Sequence, residues 1–106
     1  MILVYTVCPN REEARRIGRL LVERRLAACA NLLPIESFYW WQGELVEDNE
    51  HVLLLKTRPE CYSSLVATVK SMHSYQVPAI IRLPVAGADG AYLAWLQAET
   101  VSCLPD

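Results

Sequence analysis

Apolar residues recur with two different periods along this chain, and the changes between the periods predict its elements. Residues 2–8 form a mostly apolar run, which is typical of a buried strand, and Pro9-Asn10 ends it. Asn10 with Glu13 three residues later matches a capping box, so a helix should begin there. This helix is predicted to end at about Leu26, with an apolar stripe of Ala14, Ile17, Leu20 and Leu21.

Two long strands follow, over residues 28–41 and 44–57, and the turn signal Gln42-Gly43 joins them into a hairpin. Pro34 donates no ladder hydrogen bond, which predicts an edge strand or a bulge. Asp48-Asn49 is predicted to interrupt the second strand.

The remaining pattern predicts two helices and one strand. Pro59 suits the first turn of a helix, whose apolar stripe is Tyr62, Leu65, Val69 and Met72. A loop over residues 73–78 leads to a short strand over 79–83, with Pro84 at its end. Asp89 can cap a last helix at about residues 91–99.

This order indicates an α+β fold in one domain that spans residues 1–106. Two strand-helix-strand units in a compact chain give the ferredoxin-like βαββαβ architecture, here followed by a C-terminal helix. We expect an antiparallel sheet with helices on one face and a long hairpin between its second and third strands.

Composition and the N-terminal sequence limit which cellular compartment and which kinds of partner we expect for the protein. A net charge of -2 does not suit a chain that binds polyanions, and no apolar run is long enough for a membrane helix. The N-terminus lacks a basic region and a small-residue cleavage site, so we expect a cytoplasmic protein. Four reduced thiols are expected there: Cys8, Cys29, Cys61 and Cys103.

Aromatic residues crowd the predicted hairpin tip, where Phe38 precedes Tyr39, Trp40 and Trp41. One small domain cannot easily bury both faces of a hairpin end, and exposed apolar patches usually mark contacts. A subunit interface at Tyr39, Trp40 and Trp41 is therefore preferred to coverage by the chain's own loop.

Catalysis and nucleic-acid binding find little support in the residues. Neither a nucleophile-base-acid set nor a glycine-rich phosphate loop can be assigned, so we expect a protein that is not an enzyme and has no catalytic residues. The RNA-recognition motif shares this element order, but it needs exposed aromatic residues on its central strands and a basic face. No nucleic-acid partner is expected.

Many short motifs, in order along nearly the whole chain, resemble the CutA family of divalent-cation tolerance proteins. They include Thr6-Val7-Cys8-Pro9, Leu21-Val22-Glu23-Arg24-Arg25-Leu26-Ala27-Ala28-Cys29-Ala30-Asn31, Leu55-Lys56-Thr57, His73-x-Tyr75 and Tyr92-Leu93-x-Trp95-Leu96. The resemblance implies a ferredoxin-like homotrimer whose hairpins reach neighbouring subunits. It also implies a role in tolerance of copper and other divalent cations.

Cys29 and His73 are the candidate metal ligands from these motifs, because copper favours thiolate and imidazole. The alternatives are a small core residue for Cys29 and a helix C-cap for His73. The family's usual loop carries carboxylates where this chain has Gln76 and Ala79. We therefore expect divalent ions to bind there weakly or not at all, with copper preferred to magnesium or calcium in any binding that occurs.

A second hypothesis is a trimeric protein that binds a small ligand, similar in architecture to the nitrogen-regulatory signal transducers. Their sites lie in clefts between subunits. In this chain Lys56, Tyr75 and Arg82 could hold an anion in such a cleft.

Overall fold

The computed structural model describes residues 1–103, which form a four-stranded antiparallel sheet and three α-helices. The elements are β1 (Ile2–Cys8), α1 (Arg11–Glu23), β2 (Cys29–Trp41), β3 (Glu44–Thr57), a short 3₁₀ turn (Pro59–Cys61), α2 (Tyr62–Met72), β4 (Ile80–Pro84) and α3 (Gly90–Glu99). The strand order β2-β3-β1-β4 is that of the ferredoxin-like fold, so the predicted fold class is confirmed. None of the helices described in residues 1–103 is long and apolar enough to cross a membrane.

Side chains along the central strands alternate between buried and more exposed, so the sheet has one covered face and one uncovered face. Val4 and Leu55, directly opposite each other, are fully buried on the face that α1 covers. Gly18 allows α1 to lie close to the sheet, because a Cβ at this position would be only 2.8 Å from Leu53 Cδ1. The other face, which we call the open face, carries half-buried and exposed apolar side chains of Leu3, Tyr5, Val7, Leu33, Leu54, Ile81 and Leu83.

Helix α1 ends at Glu23, three residues before the predicted end. The chain reverses at Arg25, which has a φ of 60° in the left-handed region. The amides of Arg25 and Leu26 donate to the carbonyls of Val22 and Leu21, at 3.0 and 2.9 Å. These two bonds form a Schellman motif, in which a glycine is usual but an arginine stands here.

The β2–β3 hairpin extends well past the rest of the sheet. Strand β1 reaches only as far as the pair Cys8 and His51, so residues 35–41 and 44–50 form a two-stranded ribbon. Strand β3 runs through Asp48-Asn49 without a break, because the register stays unchanged from the turn to the sheet; the predicted interruption was wrong. Gln42 and Gly43 both have positive φ values, as a two-residue type I′ turn requires.

The C-terminal segment returns to the start of α2. Cys61 and Cys103 form a disulfide, with Cα atoms 5.0 Å apart. The expectation of four reduced thiols was therefore wrong for this pair. The two cysteines are separated by 42 positions in the sequence, so their pairing could not be predicted locally. It depends on the path that the chain takes after α3, where the Val101 amide donates to the Arg25 carbonyl at 2.9 Å.

Candidate functional site

A buried group of three metal-ligating side chains lies where β1, α1 and the end of α2 meet. Possible ligand atoms of Cys8, Glu13 and His73 all lie within 4.8 Å of one another, close enough for the three side chains to share one metal ion. Cys8 ends β1 and points into the core, while the Asn10 cap sets the first turn of α1 and so positions Glu13. We call this group the Cys-Glu-His cluster.

Hydrogen bonds already engage both ring nitrogens of His73. Its Nε2 lies 2.7 Å from the Val7 carbonyl oxygen, and its Nδ1 accepts from the Tyr75 amide at 3.0 Å. An Nε2–H tautomer satisfies both contacts, since a carbonyl only accepts and an amide only donates. His73 therefore ties β1 to the loop after α2, and an ion at Nδ1 would have to displace the Tyr75 amide.

The carboxylate of Glu13 is also engaged. Its Oε2 accepts hydrogen bonds from the backbone amide and hydroxyl of Ser74, at 3.3 and 3.0 Å, and lies 3.6 Å from His73 Nδ1. Burial, and then the charge of Glu13, raise the pKa of the Cys8 thiol to about 11. The thiol is protonated at neutral pH, so a metal ion would have to displace that proton.

A second candidate site is a cleft of roughly 890 Å³ between the hairpin ribbon and the loop over residues 74–79. Glu50, only 5% exposed, lies at its floor and accepts a hydrogen bond from the Tyr75 hydroxyl at 2.5 Å. Burial, and then the hydrogen bond to Glu50, raise the pKa of the Tyr75 phenol. Aromatic side chains of Tyr5, Tyr39 and Trp41 also line this cleft, which we call the hairpin cleft.

The structure does not bring together the ligands predicted from sequence. Cys29 pairs with Lys56, level with Leu3, whereas His73 contacts Val7 at the other end of β1. Nor is Cys29 a buried core residue, since it is half-exposed, whereas Cys8 is buried. His73 is the C-cap residue of α2, as the alternative proposed, and its backbone amide donates to the Val69 carbonyl. Its ring instead contacts the Val7 carbonyl and the Tyr75 amide.

The three residues of the predicted anion pocket lie apart. The Lys56 ammonium is 5.6 Å from the Tyr92 ring centroid on α3, and the Arg82 guanidinium is 5.1 Å from the Tyr62 ring centroid on α2. Tyr75 lies in the hairpin cleft. The predicted interface residues Tyr39, Trp40 and Trp41 do lie together at the hairpin end, where Trp40 is 72% exposed and Trp41 44% exposed.

Sequence reasoning missed Cys8, Glu13 and Glu50. The first two had a signal, because they flank the Asn10 cap and so must lie at one strand-helix junction. Glu50 had none, since its burial depends on the loop that follows α2 folding over the ribbon.

Comparison with known proteins identifies the family. The sequence model of a family described as CutA1 divalent ion tolerance protein matches residues 2–99. The chain belongs to the CutA family. Among its relatives, the divalent-cation tolerance protein CutA of Pyrococcus horikoshii is 45% identical over 100 residues, which are 94% of this chain and 98% of the relative. That of Thermus thermophilus is 46% identical over 99 residues, 92% of this chain and 96% of the relative.

Solved CutA structures have the same fold. The crystal structure of CutA1 from Pyrococcus horikoshii aligns with a TM-score of 0.93 and 43% identity, over 96% of this chain and all of that one. The structure of the periplasmic divalent cation tolerance protein CutA from Archaeoglobus fulgidus aligns with a TM-score of 0.91 and 38% identity, over 93% of this chain and 98% of that one. The resemblance noted in the sequence is thus confirmed at the level of family and fold.

Proposed function

We propose that this CutA protein is a homotrimer that acts by binding rather than catalysis. We further propose that it binds a thiophilic cation, with copper preferred, in the Cys-Glu-His cluster. The observation that carries the metal proposal is the convergence of thiol, carboxylate and imidazole within 4.8 Å. Soft thiolate and imidazole ligands select copper or zinc over magnesium and calcium.

The trimer proposal rests on apolar surface that one chain leaves uncovered. Ile81 and Leu83 are 47% and 39% exposed on the open face, and the indole of Trp41 is exposed at the hairpin end. An isolated two-stranded ribbon is marginally stable in water, so the hairpin end needs further packing. A neighbouring subunit supplies both the cover for the open face and the support for the ribbon.

Light scattering tests the assembly. A trimer of the 12.0 kDa chain is expected for the wild type, and Trp41→Ala should shift the mass toward the monomer on dilution. Trp95→Ala is the matched control, because Trp95 is 43% exposed but lies on α3. A wild-type monomer, or equal dissociation of both variants, would contradict the proposal.

The donor set fits a soft ion, while its present hydrogen bonds oppose binding. An ion must displace the Cys8 proton and take the His73 Nδ1 lone pair from the Tyr75 amide. We therefore expect weak binding that increases with pH.

Titration of copper(I) against a competing chelator tests the cluster. Cys8→Ala should weaken copper binding at least tenfold, and Cys29→Ala should leave it unchanged, because Cys29 lies at the other end of the sheet. Magnesium should not bind detectably. If Cys29→Ala alone loses copper binding, the metal site is instead at Cys29.

A second candidate function, a trimeric small-ligand binder, is favoured by the hairpin cleft. Pockets with mostly apolar walls and a few convergent polar groups are the usual binding sites of small molecules. Loss of ligand binding with unchanged copper binding, in a variant of the cleft, would separate the two functions.

A further inference from the structure

We propose that the disulfide between Cys61 and Cys103 is a reversible redox site, which a small thiol such as glutathione opens by attacking the sulfur of Cys103. This inference goes beyond the functions proposed above and depends neither on copper binding nor on the trimer. Cys61 directly precedes α2, whose Leu65 and Val69 pack into the core on the covered face of the sheet. The disulfide therefore lies in the helix layer, away from the open face that the proposed interface uses.

The first support is the unequal exposure of the two cysteines. Cys61 is fully buried, whereas Cys103 is partly exposed. An attacking thiolate must reach the sulfur to which it bonds, so access decides which half of a disulfide reacts. A small thiol in solution therefore bonds to Cys103, and the sulfur of Cys61 is the leaving group.

The second support is the position of the leaving sulfur at the start of a helix. Cys61 is the N-cap residue of α2, which has 11 residues, and its side chain makes no capping hydrogen bond there. The positive end of the helix dipole stabilises a thiolate at this place, and a stabilised thiolate leaves faster. The neighbouring carboxylate of Glu60 opposes this effect, but it pairs with the Arg58 guanidinium at 3.6 Å.

The complete reaction consumes two molecules of the small thiol. The thiolate of the first bonds to the Cys103 sulfur while the bond between the two protein sulfurs breaks, and its electron pair stays on Cys61. The second thiolate attacks the small-molecule sulfur of this mixed disulfide and releases Cys103 as a thiolate. The protein thiolates take up the two protons that the small thiols lost. The protein is thus reduced to two thiols, and the small thiol is oxidised to its disulfide.

The third support is that other contacts hold the segment before Cys103. The Val101 amide donates to the Arg25 carbonyl at 2.9 Å. Thr100 is buried, and its hydroxyl accepts from the Arg58 side chain at 2.7 Å. None of these bonds involves a cysteine, so they remain when the disulfide opens. Opening is therefore confined to the residues after Val101, and the two cysteines stay close enough to pair again.

Peptide mass spectrometry of the native, assembled protein tests the proposal after incubation with glutathione and quenching with acid. We expect the disulfide to open without denaturant, with the trapped glutathione on Cys103, and to close again when glutathione disulfide is added. Molecular mass and circular dichroism should stay unchanged on opening. Retention of the disulfide until the protein unfolds, or loss of the fold on opening, would show a structural crosslink and overturn the proposal.

Two variants measure the access of each sulfur separately, both in a Cys29→Ala background that removes the other partly exposed thiol. Cys61→Ser leaves Cys103 free, and Cys103→Ser leaves Cys61 free. Glutathione disulfide should modify Cys103 in the first variant roughly tenfold faster than Cys61 in the second, because access controls the exchange. Equal rates, or faster modification of Cys61, would overturn the proposal.

Discussion

The imidazole of His73 joins the loop after α2 to the backbone of β1, with its Nε2 2.7 Å from the carbonyl oxygen of Val7. The same ring accepts a hydrogen bond from the Tyr75 amide and lies beside the carboxylate of Glu13. A residue that the sequence marks as a metal ligand thus already has a structural role. The hydrogen bond from the Tyr75 amide to His73 also holds Tyr75 where its hydroxyl reaches Glu50. The consecutive residues His73, Ser74 and Tyr75 therefore connect the Cys-Glu-His cluster to the hairpin cleft.

His73→Ala should destabilise the fold by roughly 2–5 kcal/mol, because it leaves the Val7 carbonyl and the Tyr75 amide without partners in a buried place. Urea denaturation measures the change. His51→Ala serves as control, since His51 makes no side-chain hydrogen bond within residues 1–103. Unchanged stability in His73→Ala together with lost copper binding would assign the ring to the metal alone.

Thiol labelling should follow exposure and pairing. In the native protein without reductant, Cys29 should react first, because it is half-exposed, and Cys8 should stay protected. Cys61 and Cys103 should react only after reduction. Mass spectrometry would therefore count one label in the native protein, two after unfolding and four after unfolding with reductant. Labelling of Cys8 before Cys29 would contradict the burial of the cluster.

Stability should fall at alkaline pH. Burial, with Glu13 and Glu50 adding and Arg16 opposing, raises the pKa of the Cys8 thiol from 9.0 to about 11. Between these values the unfolded chain loses the Cys8 proton while the folded chain keeps it, so ionisation favours unfolding as pH rises. Cys8→Ala removes this contribution. Its free energy of unfolding should decline less steeply from pH 8.5 to 11 than that of wild type, and equal slopes would refute the shift.

Local signals predicted the elements because each depends on neighbouring residues. Asn10 and Asp89 cap their helices as expected, accepting from the amides of Glu13 at 2.9 Å and Ala91 at 3.1 Å. The end of α1 could not be placed the same way. The turn uses Arg25 in a left-handed conformation, and the sequence offers no glycine there to reveal it.

The candidate sites were harder to predict than the elements because they join distant segments. Cys8 and His73 are 65 positions apart, and they meet only because the chain after α2 returns to the end of β1, where His73 contacts the Val7 carbonyl. The motif pair of Cys29 and His73 suggested a site by residue type alone. Strand register, which places Cys29 opposite Lys56, then separates the two.

Close packing of α1 on the sheet gives a last prediction. A Cβ at Gly18 would lie 2.8 Å from Leu53 Cδ1 and 3.2 Å from Ala30 Cβ, and Leu53 is fully buried. Gly18→Val should therefore destabilise the protein by about 1–3 kcal/mol through overpacking. Gly87→Val is the control, because nothing lies within 4 Å of a Cβ there. If thermal unfolding shows equal melting temperatures for Gly18→Val and wild type, helix and sheet are not in the close contact that positions the Cys-Glu-His cluster.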